Sequence, residues 1–330
     1  MADTKPIALA TIAETHLLNS KEFAEQYKNH LSDFKTWKEK DHADTWLVFS
    51  QNVGDHVSID EVEVSNGDLF TILTNKDRHG KQGCLIAIVQ GTKVEEVTEA
   101  LRKIPLPLRE TVQTITHDLD DSMAQIATEC FPNAIRIDDR FHVQKIVSDA
   151  LQEIRVALRK EAIKESNAKV RAAREQGKYH KPHRYENGDT LKELLARARY
   201  LLFKSSGKWT DSQRTRAMIL FREFPQLQEG YEIAMQFRGM YEHGKTKTDA
   251  REKLLEWYER VETSLELFPT FETPLQTIQL HEETILNYFD GRRTNASAES
   301  FNAKVKNFRA LQRGVRDVKF FLYRLSKLYG

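Results

Sequence analysis

The sequence has 330 residues, 40% of them hydrophobic and 30% charged, with a formal net charge of +1. A chain of that length buries a sizeable core as one large or two ordinary domains, and it offers no run of about eighteen apolar residues to span a membrane. The N-terminus lacks the basic-then-apolar pattern of a secretory signal, and the two cysteines, Cys84 and Cys130, have no Cys-x-x-Cys partner, which argues against a zinc ribbon or disulfide framework. A cytoplasmic, helix-rich globular protein is the expectation.

The near-neutral total hides an uneven distribution. Residues 145–184 hold eleven Lys/Arg against five Asp/Glu, and residues 292–330 hold ten against two. Residues 249–290 reverse this with three against ten, and residues 1–60 are also acidic. Two basic blocks between acidic ones suit a protein with one polyanion-facing side, although solvated helical faces give the same counts.

In chain order, residues 7–50 read as helices with a loop, since Phe23, Tyr27, Leu31 and Phe34 recur at helical spacing. The polar run Lys38 to Asp44 reads as a linker. The texture then turns to short β-branched runs at 57–64, 69–75 and 84–90, the first two joined as a hairpin at Ser65 to Asp68. An amphipathic helix at 93–104, closed by Pro105 and Pro107, precedes a fourth strand at 111–118. Asp120 or Asp121 can cap a helix running to Cys130, and residues 133–138 make a fifth strand. Three strands suit an antiparallel meander, and the last two suit right-handed crossovers into parallel positions. From Arg140 the chain is helical almost to its end, broken chiefly at 176–189, 205–208 and 268–274.

Several acids and basic residues stand out. Asp60 interrupts the first apolar strand and Asp118 ends the fourth; in a sheet of this order those strands are neighbours. Taken alone, Asp118 reads as a turn or cap residue and Asp60 as a strand-end acid facing water. Glu299 is a single acid within the basic stretch RRTNASAESFNAKVK, residues 292–306, where a helix puts it on one face with Asn302 and Lys306. It is either a salt-bridged surface residue or a metal ligand beside a polyanion. Two strand-borne aspartates and an acid from a late helix form the oxygen donor set that hard divalent cations take. Two such ions activate the attacking oxygen and stabilise the leaving one in phosphoryl transfer.

The run SIDE around Asp60, THD at Asp118, DRFHVQK at 139–145 and NASAESFNAKVK at 295–306, in this order of strands, resemble the DDE-type insertion-sequence transposases of the ISL-three family. The likeness is nearest to the group whose catalytic chain is encoded apart from a small N-terminal-region protein. The resemblance implies a ribonuclease-H-like α/β core with a mixed five-stranded sheet and a large all-helical insertion. The expected division is an N-terminal helical segment (1–50), a first core part (51–145), the insertion (146–290) and a C-terminal helical core part (291–330).

Carried over residue by residue, the resemblance makes Asp60, Asp118 and Glu299 the catalytic, metal-holding acids, with two Mg²⁺ or Mn²⁺ per site, for phosphodiester hydrolysis and strand transfer. Asp139 reads first as the cap of the helix after the fifth strand and otherwise as a residue beside the metals; His142 either reaches Asp139 or a DNA phosphate, or packs beside the site. Phosphate contacts are expected from Arg292, Arg293, Lys304, Lys306, Arg309, Arg313 and Arg316, with Asn302 also facing DNA. Trp209 either stacks on a base of distorted DNA or packs in a core. His180 and His183 have the spacing of a weak metal pair but sit in a basic loop, where solvation explains them better.

Longer relatives carry a zinc-binding and helix-turn-helix region ahead of the core, and the first 45 residues here are too short and too acidic to replace it. Recognition of transposon ends is therefore expected from a separate polypeptide, and an oligomer on paired DNA ends is the expected working form. A transposase-derived, non-catalytic DNA-binding or regulatory protein is the alternative; it predicts a damaged acid triad, and all three acids are present.

Overall fold

The computed structural model describes residues 1–65, 67–292 and 296–330. The chain divides into two compact units, Met1–Asp139 with Gly291–Gly330, and Arg140–Asp290. Among the described residues no helix is long and apolar enough to cross a membrane.

The first unit is built on a sheet of six strands among the described residues: β1 (Trp46–Val48), β2 (His56–Ser65), β3 (Asp68–Asn75), β4 (Leu85–Gln90), β5 (Thr114–His117) and β6 (Ile135–Asp138), in the order β1-β4-β3-β2-β5-β6. The hairpin β2–β3 and the β3–β4 pair are antiparallel, while β5 and β6 join in parallel. The expected count of five strands is corrected by β1, which pairs Trp46, Leu47 and Val48 with Val89, Ile88 and Ala87 at the sheet edge. At three residues it is too short to display alternation, and its order comes from the pairing and from burial of Leu47. At the β2–β3 turn Gly67 takes a φ of 91°, where a side chain would be strained, and the register shifts between Glu63 and Ser65.

Strand alternation gives the sheet one core on each face. Odd-numbered Val57, Ile59 and Leu73 face the helices Val94–Leu101 and Asp121–Cys130, meeting Val97, Leu101, Met123, Ile126 and Ala127. Even-numbered Val62, Val64, Phe70 and Ile72 face the helices Ala296–Leu311 and Val318–Tyr329. The first of these presents Phe301, Val305 and Phe308 at spacings of four and three, all fully buried against the sheet. That stripe fixes the rotation of the helix and so the direction of its polar face. Phe308→Ala should lower the stability of this unit by about 3–5 kcal/mol, read as a lowered urea midpoint.

The N-terminal segment is tied to the last helix. Arg324, fully buried, donates through Nη2 to the carbonyls of Ala2 and Ile7 and lies over the rings of Tyr27 and Phe308. Tyr323 bonds Asp33, which also takes Lys327 at 2.9 Å.

The second unit is all-helical among the described residues. Its longest element, Arg140–Glu175, runs 36 residues and buries Val147, Leu151 and Ala162 along one side. Trp257, fully buried, donates its indole N–H to the Ile233 carbonyl. The turn before the helix Leu191–Arg197 is pinned by Asp189, fully buried and taken by Arg197, by Arg216 at 2.9 Å and by the Asn187 amide.

Candidate active site

The parallel pairing of β2 with β5 matches Val57 with Ile115 and Ser58 with Thr116. Two residues beyond that last pair on each strand stand Asp60 and Asp118, and the period of two puts both on the face carrying Ser58 and Thr116. The β5–β6 pairing ends at His117 opposite Asp138, so Asp139 returns to the same face as Asp118. The three acids thus rise from three adjacent strands on the side where the Ala296–Leu311 helix packs.

Asp118 and Asp139 each offer a carboxylate oxygen within 4.8 Å of the other. Asp139 is buried, at the position just before the Arg140–Glu175 helix. Burial pushes the Asp118 carboxyl up from 3.8 to about 7, and the neighbouring carboxylates of Asp139, Glu61, Glu299 and Asp120 add to the rise. Glu61 is itself raised, by burial and by Asp120. Asp120 is accounted for locally, because its side chain accepts the Met123 N–H as the cap of the Asp121–Cys130 helix. Clustered hard oxygen donors with elevated proton affinity are what a divalent cation neutralises, so this donor set fits Mg²⁺ or Mn²⁺.

Asp60 is oriented from both oxygens. One accepts the Glu61 N–H at 2.7 Å, and the other accepts Asn302 Nδ2 at 2.7 Å, an amide that also donates to the Glu61 carbonyl at 3.2 Å. Asn302 lies one turn after Glu299 on the same helix face. Glu299 is exposed, sits in the first turn, and makes no ion pair among the described residues. The salt-bridge alternative for Glu299 therefore finds no partner there, while its charge is felt at Asp118.

The family model DDE_Tnp_ISL3, described as a transposase, matches residues 57–325. The chain belongs to the ISL-three transposase family. A search of curated proteins finds no match. The match runs from β2 into the C-terminal helix, so it takes in the strands of Asp60, Asp118 and Asp139 and the helix of Glu299. Membership makes this a DNA-binding protein of transposition, of the DNA-cutting and transfer kind.

The other residues singled out in the transposase sequence fall into distinct settings. Asn302 is buried and its amide donates to Asp60. Lys304 donates to the Gly80 carbonyl at 2.8 Å and Arg309 binds Glu63, so both hold the helix to the sheet. Lys306, Arg313 and Arg316 are exposed and outside any ion pair among the described residues, and Arg292 is exposed. Arg293 lies outside the described residues. In the second unit, Trp209 donates its indole N–H to the Leu201 carbonyl and packs its half-buried ring against Tyr231 and Phe221. His142 is half-buried in the first turn of the Arg140–Glu175 helix.

Two groups near the acids escaped the sequence reading. His117, buried on the opposite face, holds Nδ1 at 2.8 Å from the Asp118 carbonyl and 3.4 Å from Asp138 Oδ1. A carbonyl only accepts, so Nδ1 carries a proton and fixes the chain as it leaves β5. Lys76, also buried, donates to the Thr116 hydroxyl at 2.6 Å, and Ser58 meets Thr74 at 3.0 Å, forming a polar row beside the acids. Thr116 lies two positions before Asp118, but nothing in the sequence links it to Lys76, forty residues away.

Proposed function

We propose that the chain is the catalytic polypeptide of insertion-sequence transposition, hydrolysing phosphodiester bonds at transposon ends and joining the freed 3′ ends to target DNA. The acids Asp60, Asp118 and Glu299, with Asp139 beside Asp118, form its divalent-metal centre. The observation that carries this reading is the convergence on Asp118: a carboxylate from β6 within 4.8 Å and the charge of Glu299 from a helix far along the chain. The strand order adds support, because β4-β3-β2-β5-β6, three antiparallel and two parallel, is the order of a ribonuclease-H-like sheet with β1 as an added edge. The second, helical unit then corresponds to the insertion ahead of the Glu-bearing helix.

Divalent cations held by these carboxylates would supply Lewis-acid stabilisation of charge on the attacking and leaving oxygens. The protein's own contribution is positional. Asn302 and the Glu61 N–H fix both oxygens of Asp60; His117 anchors the chain at Asp118; the buried stripe Phe301, Val305 and Phe308 docks the helix that carries Glu299 on the sheet. Exposed Lys306, Arg313 and Arg316 on the same unit suit phosphate contacts that position DNA without reading its sequence. End recognition by a separate polypeptide and pairing of two copies on two ends complete the working assembly.

The test incubates the full chain, with any end-recognising partner, with DNA from the flanks of its own coding region in Mg²⁺ or Mn²⁺, scoring nicked ends and joined products on a denaturing gel. Metal-dependent nicking and joining are expected; DNA binding with no cleavage in either metal would favour a non-catalytic descendant. In the same assay Asn302→Ala should cost about 10–100-fold in rate, the usual effect of removing a group that orients a metal-holding carboxylate. Its thermal midpoint should stay close to wild type, which separates lost orientation from lost folding.

A further inference from the structure

The basic block at residues 145–184 has no part in the acid site. Most of it lies on the helix Arg140–Glu175, whose inner side buries Leu151 and Ala162. At 3.6 residues per turn, Lys160, Lys164, Asn167, Arg171 and Arg174 fall within an arc of about 80° on the outer side and extend about 21 Å along the axis. All five are exposed. From Val156 to Arg174 no acid enters that arc, and none of its four cations is in an ion pair among the described residues. Elsewhere on this unit exposed cations commonly meet an acid: Lys145 with Asp149, Lys169 with Glu165, Arg222 with Glu186, Arg251 with Glu282. Lys160 and Lys164, at i and i+4, are like charges whose spacing weakens a helix until an anion lies over them.

We infer that this outer stripe is a second DNA surface, a sequence-independent track for the phosphate backbone of duplex DNA on the helical unit. The charge complements a polyanion, and about 21 Å covers roughly six phosphates of one strand at 3.4 Å each along the duplex axis. Continuity favours the same partner, because one unbroken helix presents all four cations in a line, with the Asn167 amide among them as a neutral donor. The inference rests on the reading that the chain acts on DNA.

The test measures binding of the full chain to a labelled 30-base-pair duplex of arbitrary sequence by fluorescence anisotropy, in EDTA, over a series of KCl concentrations. The variant K160A/K164A/R171A/R174A should bind about tenfold or more weakly at physiological salt, and its plot of log K against log salt should flatten by about 3 to 4, near 0.9 per lost phosphate contact. The charge-keeping variant K160R/K164R/R171K/R174K should retain the wild-type slope. A control, K5A/K21A/K35A/K38A, removes four exposed cations from the acidic N-terminal segment and should change the slope by less than one. The track is overturned if the first variant keeps the wild-type slope, or if the control flattens it equally, since net charge alone then accounts for the loss. Wild-type chain that shows no duplex binding would overturn the DNA reading beneath it, and that outcome is distinct because no metal or turnover is needed.

Discussion

Asp60→Asn and Glu299→Gln should each lower the rate of end cleavage and of strand transfer by about 10³-fold or more, while duplex DNA affinity in EDTA changes by no more than a few-fold. The size follows from what the carboxylates do: a metal centre supplies several kcal/mol of transition-state stabilisation, and each 1.36 kcal/mol is tenfold in rate. Both substitutions keep side-chain size, but an asparagine at 60 retains only one acceptor oxygen, so one of the two bonds, from Asn302 or from the Glu61 N–H, is lost together with the charge. Glu299 is exposed, so its replacement leaves no buried vacancy. If Glu299→Gln retains wild-type strand transfer, the helix Ala296–Leu311 docks on the sheet for structural reasons alone and the site reduces to the strand-borne acids. Asp139→Asn is the informative companion, because the sequence leaves that residue between capping and the metal site whereas the structure sets it beside Asp118.

The parts of this site that were legible in the sequence are those with a local signature. Alternation with a turn marked the β2–β3 hairpin, and an acid breaking an apolar strand marked Asp60. The spacing of Glu299, Asn302 and Lys306 marks one polar face of a late helix. The short edge strand at Trp46 to Val48 was not legible, because three residues carry no period and the order comes from β4. The Asn302 amide bond to Asp60 spans 242 residues of chain, so no local pattern marks it. Asp139 was ambiguous for a similar reason: a residue between a strand and a helix is a cap by default, and the strand register alone decides which face it takes. The Lys76 bond to Thr116 and the approach of His117 to Asp138 have no local signature, because the first spans forty residues and the second exists only once β6 lies beside β5.

Without metal, the chain should lose stability as pH rises from about 4 to about 7, and Asp118→Asn should remove that part of the loss. The Asp118 carboxyl is raised from 3.8 to about 7, chiefly by burial and then by Asp139, Glu61, Glu299 and Asp120. A group that holds its proton more tightly when folded stabilises the native state fully below its unfolded value, and that contribution is gone once pH passes the folded value. Three units would correspond to about 4 kcal/mol at most; Asp118 is only partly buried and solvent screens the repulsion, so about 1–3 kcal/mol is the expected range. At pH 8 in EDTA, Asp118→Asn should therefore melt several degrees above wild type, whereas at pH 4 the two should coincide. Millimolar Mn²⁺ at pH 8 should close the gap by raising wild type, since a ligand at 100 times its Kd adds about 2.7 kcal/mol, and should move the variant much less. Differential scanning fluorimetry across this grid decides it. Equal midpoints at pH 8, or an equal Mn²⁺ shift in both proteins, would show that the carboxylates around Asp118 neither crowd one another nor hold the ion.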